Sequence, residues 1–232
     1  MIAIDGPAGA GKSTVARLLA RRVGLKYIDS GAMYRCVALK SHRERVRPDD
    51  ERTLTECARE IKIEFFPAPP GRPDENQLVL MDGEDVSRAI RKPEIGNLAS
   101  VVSQVAGVRE AMVAAQRRMG RDGGVVMEGR DIGTVVFPDA PLKVFLTASA
   151  AERAVRRTKE LAQSSVGKVD PELVRREMAE RDTRDQSRDL APLVPAKDAV
   201  VIATDGLTIE EVVERITEMI PSDTAGARYE LD

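Results

Sequence analysis

Gly6-Pro7-Ala8-Gly9-Ala10-Gly11-Lys12-Ser13 is the stretch on which the reading of this chain turns. It matches the Walker A pattern. An apolar run, Met1 to Ile4, precedes it, and a helical pattern from Ser13 to Val23 follows, with Val15, Leu18, Leu19 and Val23 on one side and Gly24 as the stop. Strand, glycine loop and helix in that order make a phosphate cradle: the glycines let backbone N–H groups turn inward, and the helix start adds the positive end of its dipole. Lys12 is then placed to reach the β- and γ-phosphates, and the Ser13 hydroxyl to ligate Mg²⁺. An ATP-type nucleotide is expected, but the loop alone leaves kinase, ATPase and GTPase open.

Outward from the cradle, short aliphatic or β-branched runs recur at Lys26 to Ile28, Val125 to Met127, Leu142 to Leu146 and Ala199 to Ala203, mostly without alternation. Strands apolar on both faces belong in a covered parallel sheet. Helical patterns lie between them at Ala32 to Lys40, Glu94 to Met119 and Ala150 to Ala162, and Thr208-Ile209-Glu210-Glu211 forms a capping box before a last helix. The expected fold class is α/β: a P-loop NTPase-type, doubly wound parallel sheet of about five strands. Two segments break the alternation. Ile61 to Phe66 and Gln77 to Met81 read as a small antiparallel β insert around the turn-rich Pro67 to Asp74, with an acidic turn at Asp82-Gly83-Glu84-Asp85 read as a solvated hairpin end. Ala150 to Asp189 reads as a helical lid, two charged helices joined by a polar loop at Gln163 to Val169, with Asp170-Pro171 opening the second.

The length, 232 residues, suits one α/β unit with insertions, and 42% hydrophobic with 32% charged residues is ordinary globular usage. The net charge of −2 offers no global field to draw in nucleic acid or an anionic membrane, so an anion site must be built locally. Cys36 and Cys57 belong to no Cys/His cluster and are expected as reduced buried thiols; His42, the only histidine, rules out a multi-histidine metal centre and is expected as a solvated residue near a helix end. The opening lacks a basic segment followed by an apolar stretch, so no signal peptide is expected and the location is expected to be cytoplasmic.

Among P-loop classes, a switch GTPase needs an Asn-Lys-x-Asp guanine reader, and none exists here. A mechanical ATPase remains a competing reading, with Val125-Val126-Met127-Glu128 as its acid-ending strand. The distribution of arginines favours a kinase, which must neutralise phosphates from two substrates while excluding water. Ser30-Gly31-Ala32-Met33-Tyr34-Arg35 follows the second strand, Arg109 lies in a helical stretch, and Glu128-Gly129-Arg130-Asp131 follows the third strand. Arg181, Arg184, Asp185 and Arg188, at i, i+3, i+4 and i+7, share a helix face.

Together with Asp29-Ser30-Gly31-Ala32-Met33-Tyr34-Arg35, Glu128 to Ala140 and Ala191-Pro192-Leu193, the cradle resembles the bacterial cytidylate kinases among nucleoside monophosphate kinases, in order from Met1 to about Ile220. The resemblance implies Mg²⁺-dependent phosphoryl transfer from ATP to CMP or dCMP, giving CDP or dCDP; a sister enzyme for UMP is the nearest rival. It assigns Gly6 to Thr14 to the donor nucleotide (Gly6, Pro7, Ala8, Gly9, Ala10, Gly11, Lys12, Ser13 and Thr14). Asp131 would accept from the cytosine amine while Arg109 and Ser100 donate to the acceptor edge; Arg35, Arg130 and Ser30 would grip the acceptor phosphate, with Asp185 and Arg181 at the sugar and Arg188 nearby. Lys12, Arg130, Arg156, Arg184 and Arg188 are the expected catalytic cations, Arg153 a weaker candidate, Ser13 the metal ligand, and Glu128 has no assigned role. The implied layout is a core at 1–60, 93–149 and 191–220, a CMP-side insert at 61–92, a lid at 150–190 and a disordered tail at 221–232. A monomer acting on ATP, CMP and dCMP, with no nucleic-acid or membrane partner, completes the expectation.

Overall fold

β1 (Ile2–Asp5) is buried along its whole length, and the main sheet is ordered around it. It pairs in parallel with β6 (Val125–Gly129) on one side and β7 (Leu142–Thr147) on the other, Ile4 standing opposite Glu128 and Val144. β8 (Val200–Ala203) extends the sheet beyond β7 and β2 (Lys26–Asp29) beyond β6, giving the order β2-β6-β1-β7-β8. The chain runs outward from β1 to β2, returns through β6, and crosses to β7. The carboxyl end of β1 is therefore the switch point at which open α/β sheets bind ligands. The computed structural model describes residues 1–68, 77–164, 169–188 and 190–220, with backbone only at 163 and 164. The turn expected at Pro67 to Asp74, the loop at Gln163 to Val169, Asp189 and the tail at 221–232 lie wholly or partly outside those residues.

The chain forms two compact units, Met1–Tyr27 with the residues from Asp122 onward, and Ile28–Arg121. In the first, α1 (Lys12–Val23) starts at the end of the glycine loop and stops at Gly24, which takes the left-handed conformation (φ 68°) that ends a helix at no side-chain cost. Its buried Val15, Ala16 and Leu19 pack with Ile2, Ile4 and Leu146 of the sheet and with Val212, Val213 and Ile216 of α8 (Ile209–Glu218). The capping box at the start of α8 forms as expected, Thr208 Oγ accepting from Glu211 N and the Glu211 carboxylate from Thr208 N. α6 (Ala150–Ser164) and α7 (Pro171–Gln186), the helices of the expected lid, pack on each other, and Ala154, Val174 and Met178 close over Ala8 of the cradle.

In the second unit, α2 (Ser30–Arg43), α3 (Glu51–Glu60), α4 (Pro93–Val102) and α5 (Ala106–Gly120) share one core with the antiparallel sheet of β3 (Ile63–Phe66), β4 (Leu78–Met81) and β5 (Glu84–Asp85). α3, capped by the Asp50 carboxylate on Thr53 N at 3.1 Å, is an element the apolar pattern does not announce. The single helix expected over Glu94 to Met119 is instead two, meeting at 102°. The break has a local cause: Ser103 Oγ bonds back to the Ser100 carbonyl at 3.1 Å, and Val105 turns extended (ψ 120°). Among the described residues no single helix is long and apolar enough to cross a membrane. The acidic turn is a two-residue hairpin with positive φ at both Asp82 and Gly83, as tight hairpins require, and exposed Glu84 takes a bidentate pair from Arg43 at 2.7 and 2.8 Å.

Where β1 gives way to the glycine loop, Gly6 adopts φ 147°, and a Cβ there would lie 2.0 Å from the Leu146 carbonyl oxygen of β7. The Leu146 oxygen cannot yield, because it belongs to the backbone of β7. Gly6→Ala is expected to cost about 3 kcal/mol or more, which thermal unfolding would register as a fall in Tm of roughly 6–12 °C.

Candidate nucleotide-binding and phosphoryl-transfer site

The register that aligns Asp5 with Gly129 sets the end of β1 beside the end of β6, so the glycine loop and the stretch from Arg130 leave the sheet as neighbours. The loop folds on itself: Ala10 N reaches Pro7 O at 3.5 Å, and Lys12 Nζ donates to the same carbonyl at 2.8 Å. Gly9 lies under α6 and α7, where a Cβ would meet the Arg153 carbonyl oxygen at 2.9 Å and Met178 Cε at 3.1 Å. Ser13 and Thr14 open α1 and are half-buried.

Lys12 is only 6% exposed. Burial pushes its ammonium down to about 7, and the positive charge of Arg130 and then Arg181 adds to this against the opposing pull of Glu128 and Asp5. An anion bound at the loop would reverse that balance. Glu128, buried on β6, accepts from the Tyr27 hydroxyl. The Ser13 hydroxyl at the start of α1 is a hard oxygen donor, which fits Mg²⁺ held chiefly by nucleotide phosphates.

Asp185 of α7 gathers the arginines of this unit. Its carboxylate is 1% exposed, and takes Arg130 Nε at 2.9 Å, Arg188 Nη2, and Arg181 at 4.0 Å. Burial alone would raise that carboxyl, but Arg130, Arg188 and Arg181 outweigh it and hold it below the usual aspartate range. The face expected from the i, i+4, i+7 spacing thus closes around one carboxylate, while Arg184 donates to Glu180 O of its own helix. Arg156 is committed elsewhere: to Glu152 at 2.9 Å and, through both terminal nitrogens, to Thr204 Oγ1 and O at 2.8 Å. Thr204 in turn reaches Ala10 O at 3.5 Å, so Arg156 braces the loop from behind. Arg153, the weaker candidate in the sequence, touches the cradle, donating to Ala8 O at 3.2 Å while paired with Asp182 at 2.6 Å.

The second unit carries the remaining candidates. Asp29 caps α2 by accepting Ala32 N at 3.0 Å, which presents buried Ser30 as the first helical residue, with Arg35 half-buried on the same helix. Arg109 of α5 is 6% exposed, donates to Ser103 O at 3.5 Å and stands 6.0 Å from the Tyr34 ring centroid, a cation–π distance. Tyr34 has no assigned role in the sequence reading, although an aromatic ring in a chain only 3% aromatic is a signal. Ser100 Oγ is buried and makes no hydrogen bond. Leaving a hydroxyl so costs about 1–3 kcal/mol, a cost that a bound polar ligand removes.

A glycine cradle at a switch point, a buried lysine in it and guanidinium groups collected on an adjacent helix define a P-loop phosphotransferase. The family model for cytidylate kinase matches residues 2–222. Relatives include cytidylate kinases of Desulforamulus reducens, 53% identical over 93% of this chain and 94% of that protein, of Caldanaerobacter subterraneus, 49% identical over 97% and 96%, and of Geobacter sp., 50% identical over 92% and 89%. The chain belongs to the cytidylate kinase family.

Two outcomes follow from Lys12. Lys12→Met is expected to lower kcat by about 10²-fold or more without loss of thermal stability, since a poorly solvated ammonium is replaced by an apolar chain of similar length. Because phosphates raise a lysine held near 7, calorimetric titration with ATP near pH 8 in buffers of different ionisation enthalpy is expected to register proton uptake that Lys12→Met loses.

Proposed function

We propose that this chain catalyses Mg²⁺-dependent transfer of the γ-phosphoryl group of ATP to CMP or dCMP, giving ADP and CDP or dCDP. Family membership across residues 2–222 is the observation that carries the reading. Gly6 to Thr14 hold the donor phosphates through backbone N–H groups, and Lys12 lies along the β- and γ-phosphates. Ser13 would hold Mg²⁺, which when bound would supply charge neutralisation to the phosphates.

Ser100, Arg109 and Asp131 read the cytosine edge: the carboxylate accepts from the exocyclic amine, and the hydroxyl and guanidinium donate to the ring nitrogen and carbonyl. The buried Ser100 hydroxyl and the Arg109 guanidinium spread over Tyr34 support this assignment. Ser30, Arg35 and Arg130 grip the acceptor phosphate, and Asp185, Arg181 and Arg188 hold the sugar and the approach to it. The attacking atom is a phosphate oxygen already ionised near neutral pH, so no general base is required; positioning and charge neutralisation by Lys12, Arg130, Arg188 and Arg184 lower the barrier. Arg156 joins them only by exchanging its bonds to Glu152 and Thr204, and its present bonds favour a bracing role.

The reading extends to a cytoplasmic monomer acting on free nucleotides, without nucleic-acid or membrane partners, in keeping with a net charge of −2. The direct test follows CDP formation with CMP, dCMP, UMP and AMP as acceptors under one condition; ATP consumption indifferent to CMP would support instead a P-loop ATPase. Within the reading, Asp131→Asn is expected to narrow the preference for CMP over UMP by about 10-fold or more, a loss of roughly 1–3 kcal/mol of discrimination, because an amide can donate to the uracil carbonyl that a carboxylate repels. Steady-state kcat/KM for the two acceptors measures it.

A further inference from the structure

β1 ends in a charge. Its three preceding residues, Ile2, Ala3 and Ile4, are aliphatic, and Asp5 is then 5% exposed at the point where the chain enters the cradle. A carboxylate so deep must be paired, and its hydrogen-bond donors are two successive backbone amides: Oδ1 accepts Ile132 N–H at 2.9 Å and Oδ2 accepts Gly133 N–H at 2.7 Å.

Those amides open the π-helical turn Ile132–Val136, directly after Arg130 and Asp131. The turn closes on Asp131 itself, whose carbonyl accepts Val135 N at 2.9 Å and Val136 N at 3.1 Å. Lys143 of β7, paired with Asp198 at 2.7 Å, holds the Pro138 carbonyl beyond the turn. A Cβ at Gly133 would be tight against Lys143 Cδ, at 3.2 Å, and in ordinary contact with Asp5 Oδ2, at 3.4 Å.

One side chain therefore ties the first step of the donor cradle to the loop that carries Arg130 and Asp131. We propose that Asp5 is a positioning residue for the acceptor nucleotide, its carboxylate fixing where Arg130 and Asp131 stand relative to the glycine loop; this rests on the assignment of those two residues to the acceptor. The demand is for two acceptor oxygens at once. Asparagine, the isostere, would set an NH₂ group against a backbone N–H and lose one of the two bonds. β1 itself stays pinned by β6 and β7 on its two edges, so the donor side has its own support.

The test is steady-state kinetics of the full chain with ATP, Mg²⁺ and CMP at about pH 8, above the value of about 6 to which burial raises Asp5, so that both oxygens start as acceptors. Asp5→Asn is expected to raise the KM for CMP about tenfold, the equivalent of ~1.4 kcal/mol, to narrow the CMP over UMP preference, and to leave the KM for ATP within about twofold. Unchanged KM values with a lowered Tm and less active protein, or equal rises in both KM values, would overturn the proposal. Should Asp5→Asn fail to fold, Gly133→Ala, which adds a methyl at the same joint, tight against Lys143 and in contact with the carboxylate, without altering charge, is read by the same criteria. Arg130→Ala run in parallel separates the two levels: if it leaves the KM for CMP unchanged, the acceptor assignment falls and this inference with it, whereas a raised KM there beside an unmoved one in Asp5→Asn removes the positioning role alone.

Discussion

A lysine ammonium buried in the glycine cradle is the constraint around which the first unit is organised. Lys12 is desolvated and faces the charge of Arg130 and Arg181, so in the absence of an anion its charged form is disfavoured. The fold tolerates this because strand, loop and helix fix the backbone independently: β1 is clamped between two parallel neighbours, and α1 is anchored through Val15 and Leu19 to the sheet and to α8. The unfavourable electrostatics of the free cradle become favourable when phosphates enter, in a pocket of low dielectric where each interaction is stronger than in water. Charge placement that opposes stability here serves binding.

Asp185 solves the complementary problem of keeping guanidinium groups near one another. Arg130 comes from the end of β6 and Arg181 and Arg188 from α7 and its end, and one buried carboxylate draws the three together at a separation that bare repulsion would widen. Breaking such a buried cluster from the acidic side is costly because it leaves several cations uncompensated. A phosphate, with its multiple acceptor oxygens, can share the N–H groups the carboxylate does not use. The same residue thus orders the lid helix and holds the cations in readiness.

Much of this was legible in the sequence, and the exceptions have physical causes. The cradle, the five parallel strands, the Asp170-Pro171 start of α7 and the capping box of α8 are local patterns, and local patterns survive into structure. The helix α3 buries only Leu54, Cys57 and Ala58 among charged neighbours, too little apolar sequence to announce itself except through Asp50 as its cap. The break between α4 and α5 depends on one serine turning back to a carbonyl, a competition that periodicity cannot weigh. Arg153 and Arg156 lie about 60° apart around α6, and which of them meets the cradle is set by how the helix is rotated against α7. Asp5 carries no local signal, because its partners are backbone amides more than 120 positions away, which no spacing rule encodes.

The arrangement around Glu128 also bears on the distinction between a phosphotransferase and a hydrolase built on the same loop. A P-loop ATPase of the competing kind would use the acid at the end of this strand to order water against the γ-phosphate. Here that carboxylate is buried opposite Ile4 and accepts from the Tyr27 hydroxyl, so part of its hydrogen-bonding capacity is turned inward, to the sheet. What reaches the mouth of the cradle instead is apolar and cationic: Met178 and Ala154 of the lid pack over Ala8, and Arg153 donates to the loop's own backbone. A site whose cations are gathered in this way is suited to an acceptor that brings its own charged oxygen, which is the chemical difference between a phosphate and water as nucleophile.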